Sequence, residues 1–269
     1  MNSSSKKVIA EENKKQMSFS TELTERMDDC FNSISKKFEK DISSLNAYID
    51  STFELIRQYY TALMCDGHQE IELLAYDSIF SNLEYLSIAV FLNSRGQFAQ
   101  TRALFRNVYE TLVIVKYMMI TENDEFTEKY KNDREIKLKA DIYKNVSMNN
   151  NDKRILETFY QHLCSFAHFS FYSNSLTGSD DDRMNEVNAN FELCRILLCL
   201  NYHVLNSYCF LGKYKAKIDR WVIPLENDIS TKEKRQICHN INKSTRKDLT
   251  AAGKNIVLAF SKKWKLREI

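Results

Sequence analysis

Residues 97–120, QFAQTRALFRNVYETLVIVKYMMI, contain no Gly and no Pro and are too many for one strand, so they predict a helix. The second half, 112–120, is apolar on nearly every side with Lys116 as its one charge, the pattern of a buried helix. The first half carries Arg102, Arg106 and Glu110, spaced four apart, on one stripe with Ala99, Ala103, Val113 and Tyr117. An unpaired charge inside a core costs on the order of several kcal/mol, so these groups must be paired or line a cavity. Two readings fit the triplet. Arg can bind an anion or phosphate while Glu orients it or acts as base; alternatively, a buried ion-pair network fixes helix register.

The rest of the 269 residues agree with a helical fold. With 5 Gly and 1 Pro the chain has little turn punctuation, and no run of period-2 alternation stands out. Residues 21–64 repeat an apolar spacing of eleven, at Leu23, Ile34, Leu45 and Ile56. Eleven residues in three turns, about 3.67 per turn, match an undistorted helix. The spacing predicts one nearly straight helix, longer than its own core needs, and hence a homodimer to which 23–60 contributes. Further helices are expected over 69–93, 97–120, 124–146, 153–170 and 183–211, with two basic ones near 230–240 and 244–265. The fold class is all-α: a frayed terminus over 1–20, a helical bundle over 21–212 with a long N-terminal helix, and a basic helical C-terminal appendage over 213–269.

Charge and cysteine content narrow the setting. Residues 213–269 hold 15 Lys/Arg against 6 Asp/Glu, a charge of +9, so the total of +2 leaves −7 on 1–212. Such a tail meets nucleic acid, an anionic surface, or the acidic body of its own protein. Seven Cys with no CxxC pair, four of them (Cys164, Cys194, Cys199, Cys209) in apolar helical stretches, point to a reducing, cytoplasmic compartment. The first fifteen residues lack the apolar core of a signal peptide. The most apolar stretch, 191–211, contains Glu192, Arg195, Asn201, His203 and Asn206, too polar for a bilayer span, so no membrane role is expected.

No metal and no cofactor are expected. Cys164 and His168 lie four apart, as do Cys199 and His203, but two ligands do not make a zinc site. His168 is instead a candidate general acid or base for the Arg/Glu helix, and His162 falls on another face. Asp180, Asp181 and Asp182 are read as a solvated run. There is no Gly-rich phosphate loop, GxSxG or HExxH.

The run RALFRNVYETLVIVKYM followed by SFAHFS resembles the HEPN superfamily of prokaryotic helical proteins, over about 70–211. Arg106-Asn107 opens the nuclease motif of that group, and Thr111 or a neighbour stands where its His is expected. A poorly characterised bacterial branch with an Arg-x-x-x-Glu element and a downstream His is matched by Arg106, Glu110 and His168. The resemblance implies a component of a bacterial defence or toxin system acting on RNA, often by metal-independent cleavage as a dimer. Arg106, Glu110 and His168 would then be catalytic, and Arg102 and Asn107 would bind substrate. The rival expectation is a non-catalytic interaction module (an antitoxin, sensor or scaffold) with a structural Arg/Glu network.

Overall fold

The computed structural model describes residues 19–66, 70–121, 123–132, 135–167, 180–207, 243 and 246–266. These form an all-α bundle. Helix α1 spans Phe19–Asp66, α2 Glu70–Ser94, α3 Phe98–Thr121, α4 Asp124–Lys131, α5 Asn150–Ala167, α6 Asp180–Ser207 and α7 Ala251–Ser261. A π-helical turn, Leu138–Tyr143, and two short strands, β1 Val146–Ser147 and β2 Lys265–Leu266, complete the described parts.

The apolar α3 is the axis of the bundle. Val108, Tyr109, Leu112, Val113, Val115 and Met118 are buried, and the helix packs against α2, α5, α6, the π turn and β2. Its antiparallel pairing with α2 follows from the tight link between them. Gly96 takes φ 74° there and lies against Cys30, whose Sγ would be 3.3 Å from an added Cβ.

The eleven-residue spacing of α1 works only where there is core to meet it. Ile34, Leu45 and Ile56 are 0, 1 and 0 % exposed, whereas Leu23 is 39 % exposed. The expected straight helix is also broken: Phe38 leaves helical geometry at φ −115°, ψ 24°. Its ring meets Phe191 of α6 edge-on at 5.6 Å, and bending at this residue keeps Ile34 and Leu45 on the core from either side.

The expected helix over 124–146 is a second correction. Asn123 caps its start as the sequence indicates, accepting from Phe126 N at 3.0 Å. The helix stops at Lys131 because Asp141 gives the chain another course. Its carboxylate accepts from Lys137 N at 2.7 Å and Lys129 Nζ at 2.8 Å, which sets up the π turn that buries Leu138, Ile142 and Tyr143.

The described end of the basic 213–269 segment is built into the core. Leu249, Val257, Phe260 and Trp264 are buried, and α7 packs on α5 and α6. β2 then pairs antiparallel with β1, Val146 opposite Leu266 and Ser147 opposite Lys265. Residues 230–240 and His168 lie outside the described residues. No helix among the described residues is long and apolar enough to cross a membrane.

Candidate functional site

The Arg102–Arg106–Glu110 stripe divides into two separate networks. Arg102 turns inward, 5 % exposed, and reaches α6, where Nε donates to Asn190 Oδ1 at 2.8 Å and Nη2 bonds Glu186 Oε2. Asn190 is itself held by α2, its Nδ2 donating to Asn93 Oδ1 at 2.9 Å. Burial lowers the Arg102 pKa and the Glu186 charge opposes that shift. A guanidinium closed in this way joins three helices and is structural.

Arg106 and Glu110 form the second network, on the seam between α3 and α5. Arg106 Nε donates to Glu110 Oε1 at 2.8 Å, and the two side chains keep 27 and 26 % of their surface open. The Tyr160 hydroxyl of α5 donates to the same oxygen at 2.5 Å, and its ring lies 6.0 Å from the Arg106 guanidinium. Cys164 is one turn further along α5. Burial pulls the Arg106 pKa down, but the hydrogen bond and charge of Glu110, with Cys164 and Tyr160, raise it overall. The Tyr160 hydroxyl is pushed up by burial first, then by Glu110 and Cys164. The cluster therefore presents a permanent cation in Arg106, the Glu110 side chain held twice through one oxygen, and in Tyr160 a phenol that keeps its proton at neutral pH. Those groups can bind a phosphate oxygen and hold or pass a proton at the same place.

Asn107 is exposed on a neighbouring face of α3 and does not join this cluster. One residue along a helix rotates the side chain by about 100°, so Arg106 and Asn107 cannot both face α5. His168 follows Ala167, the last described residue of α5, and lies outside the described residues. Tyr160, Glu186 and Asn190 are the partners that sequence reasoning missed. The four-residue spacing of Glu186 and Asn190, which puts both on one face of the helix, was the available signal.

Other candidates resolve into packing. Cys194 and Cys199 are buried, and burial pushes both thiols up to about 12. His203 is pushed down to about 3, first by burial and then by the charge of Lys116, and stacks edge-on against Phe260 at 6.0 Å. Among the described residues no cluster of three or more His, Cys, Asp and Glu could hold a metal ion. Lys116 is fully buried. Its Nζ donates to Phe260 O and, at 3.0 Å, to Lys262 O, and sits 4.5 and 4.2 Å from the Phe260 and Trp264 ring centroids. The one ionisable group in the apolar half of α3 thus serves, as a hydrogen-bond donor, the carbonyl end of α7.

A groove of about 530 Å³ opens between α5, α6 and α7, walled by Ile155, Phe159, Leu193, Ile196 and Ile256, with His162 on its lining. The His162 pKa is lowered by desolvation and by Arg102, against the pull of Glu186. Glu192 closes the α7 end, its Oε1 accepting from Thr250 N at 2.9 Å and Thr250 Oγ1 at 2.7 Å. Neither a protein-family model nor a curated protein nor a solved structure matches this chain.

Proposed function

We propose that the chain is a HEPN-like component of a bacterial defence or toxin system that acts on RNA through Arg106, Glu110 and Tyr160. The observation that carries this reading is the partial exposure of the Arg106–Glu110 pair, while the other basic side chains of α3, Arg102 and Lys116, are enclosed. Arg106 would hold a backbone phosphate. Glu110 would orient the guanidinium, and Glu110 or His168 would move the proton. Exposed lysines of the C-terminal segment would add sequence-independent attraction for the RNA.

A second reading has its own support. Glu110 accepts from Arg106 and Tyr160 through one oxygen, which also describes a cross-link between α3 and α5 in a non-catalytic interaction module. One experiment separates them: thermal unfolding of Arg106→Ala, Glu110→Gln, Tyr160→Phe and His168→Ala beside RNA-binding, RNA-cleavage and growth assays. A partly exposed ion pair is worth about 1 kcal/mol or less, so the Arg106 and Glu110 variants should fold. Under the RNA reading they lose binding, cleavage or toxicity, and a chelator leaves any cleavage intact. Folded variants that match the wild type in every assay would refute it in favour of the interaction module.

A further inference from the structure

The N-terminal end of α1 extends past the bundle. From Ser20 to Asp29 every residue is exposed except Met27, which is half-buried, and the first residue of the helix packed against the core is Cys30. Residues 19–29 therefore project by about 16 Å, at ~1.5 Å per residue. This projection still carries the apolar stripe of the helix, the exposed Leu23 and the half-buried Met27. Three turns of helix are marginal in water alone and are normally stabilised by covering an apolar face.

The end of the bundle it leaves behind is also uncovered. Phe31 is 38 % exposed, Ile88 47 % and Phe91 53 %. Arg95 is clamped between two of these rings, 4.8 Å from Phe31 and 4.2 Å from Phe91. Its Nη1 is buried and has no hydrogen-bond partner among the described residues. Arg183 lies 3.8 Å from Cys30 Sγ, the neighbour of Phe31 in sequence, and is paired with Asp180 at 3.4 Å. The projecting segment has the complementary charge: Glu22, Glu25, Asp28 and Asp29 against Arg26.

We propose that a second copy of the chain covers this end, each projecting α1 laying Leu23 and Met27 over its partner's Phe31, Ile88 and Phe91, with Asp28 and Asp29 meeting the partner's arginine at position 95. The contact is self-complementary, since one surface supplies both the stripe and the patch, and it closes with two-fold symmetry. It does not involve the core positions Ile34, Leu45 and Ile56, which are already buried within one chain. The homodimer expected from the eleven-residue spacing is thereby placed on the projection and not along the whole helix. This assembly is independent of the RNA reading. An uncovered apolar patch rimmed by charge is the usual mark of a protein contact, and the acid–arginine pairing selects the copy over an arbitrary apolar partner.

The test is sedimentation velocity of the full chain at tens of micromolar, with circular dichroism to verify folding. The wild type should sediment at twice the 31.6 kDa chain mass. Leu23→Glu alters a residue outside the core and should weaken the dimer at least tenfold. Arg95→Glu should do the same, and adding Asp28→Arg and Asp29→Arg to it should restore the dimer. A monomeric wild type overturns the proposal, whether the free end belongs to another protein or to none. So does a dimer that ignores both Leu23→Glu and Arg95→Glu. If Arg95→Glu does not fold, Leu23→Glu alone decides.

Discussion

Replacing Lys116 by Met should remove a pH dependence of stability that the wild type shows between pH 7 and 8.5. Burial pushes the Lys116 amine down to about 6 in the fold from 10.5. Between those values the unfolded chain binds a proton that the folded chain does not, so stability rises with pH. The slope is at most about 1.4 kcal/mol per pH unit. From pH 7 to 8.5 the gain approaches ~2 kcal/mol, or roughly 4–8 °C in Tm for a chain of this size. His203 adds a rise of its own between about 3 in the fold and 6.5 when unfolded, and that rise is nearly complete by pH 7. Above about 9 the sign reverses, because Cys194 and Cys199 keep their protons to about 12 in the fold and lose them near 9.0 when unfolded. Met preserves the length and apolar stem of Lys and has no proton to lose, so its curve should lack the rise across the window and, through the same cysteines, fall slightly towards pH 8.5. Urea or thermal unfolding of both proteins at pH 7, 7.75 and 8.5 measures the difference. Parallel curves would refute the reasoning. They would mean that the amine stays charged in the core, held by two carbonyls and two aromatic faces strongly enough to offset its desolvation.

Arg102→Ala should destabilise the fold by about 3–5 kcal/mol, since Glu186 and Asn190 lose their shared partner, whereas Arg102→Met with Glu186→Met should cost less; chemical denaturation of both checks this. Gly253→Val should cost about 1–3 kcal/mol, because a Cβ there stands 2.6 Å from Glu192 Oε1 and 3.2 Å from Ile196; differential scanning calorimetry reads it. Exchanging the exposed Lys247, Lys254, Lys263 and Lys265 for Gln should weaken RNA binding and flatten its salt dependence by about 0.7 per lost phosphate contact, and an unchanged slope in a salt titration would detach these lysines from the RNA. Deleting 244–269 should unfold the chain instead of merely weakening binding, since Leu249, Val257, Phe260 and Trp264 are core residues.

Where helix and core demand the same thing, the sequence was legible. Residues 97–120 combine strong helix formers with an all-round apolar face, and α3 is the helix and the axis they imply. Ile34, Leu45 and Ile56 are buried as their spacing requires. Long-range competition was not legible. The 124–146 pattern is helical by local propensity, yet Asp141 diverts its backbone through Lys129 and Lys137. The stripe of charges on α3 was visible, but its division was not. Arg102 and Arg106 have the same chemistry and the same phase. Only the position of α6 on one and α5 on the other makes the first a closed structural pair and the second an open one. The role of Lys116 was hidden for a similar reason, because its acceptors are backbone carbonyls at Phe260 and Lys262, which no side-chain motif announces.

The seat of Lys116 also orders events during synthesis. Its carbonyl partner at Phe260 lies 144 residues downstream, and Val146 waits likewise for Leu266. Until Phe260 and Leu266 leave the ribosome, the middle of α3 has a cation facing an unfilled apolar gap and must stay hydrated there. The bundle therefore has no finished form that lacks residues 249–266: their arrival acts as a completion signal. A nascent chain stalled or cleaved short of them would retain an open, wet seam down its central helix, the sort of exposed surface that chaperones and proteases recognise.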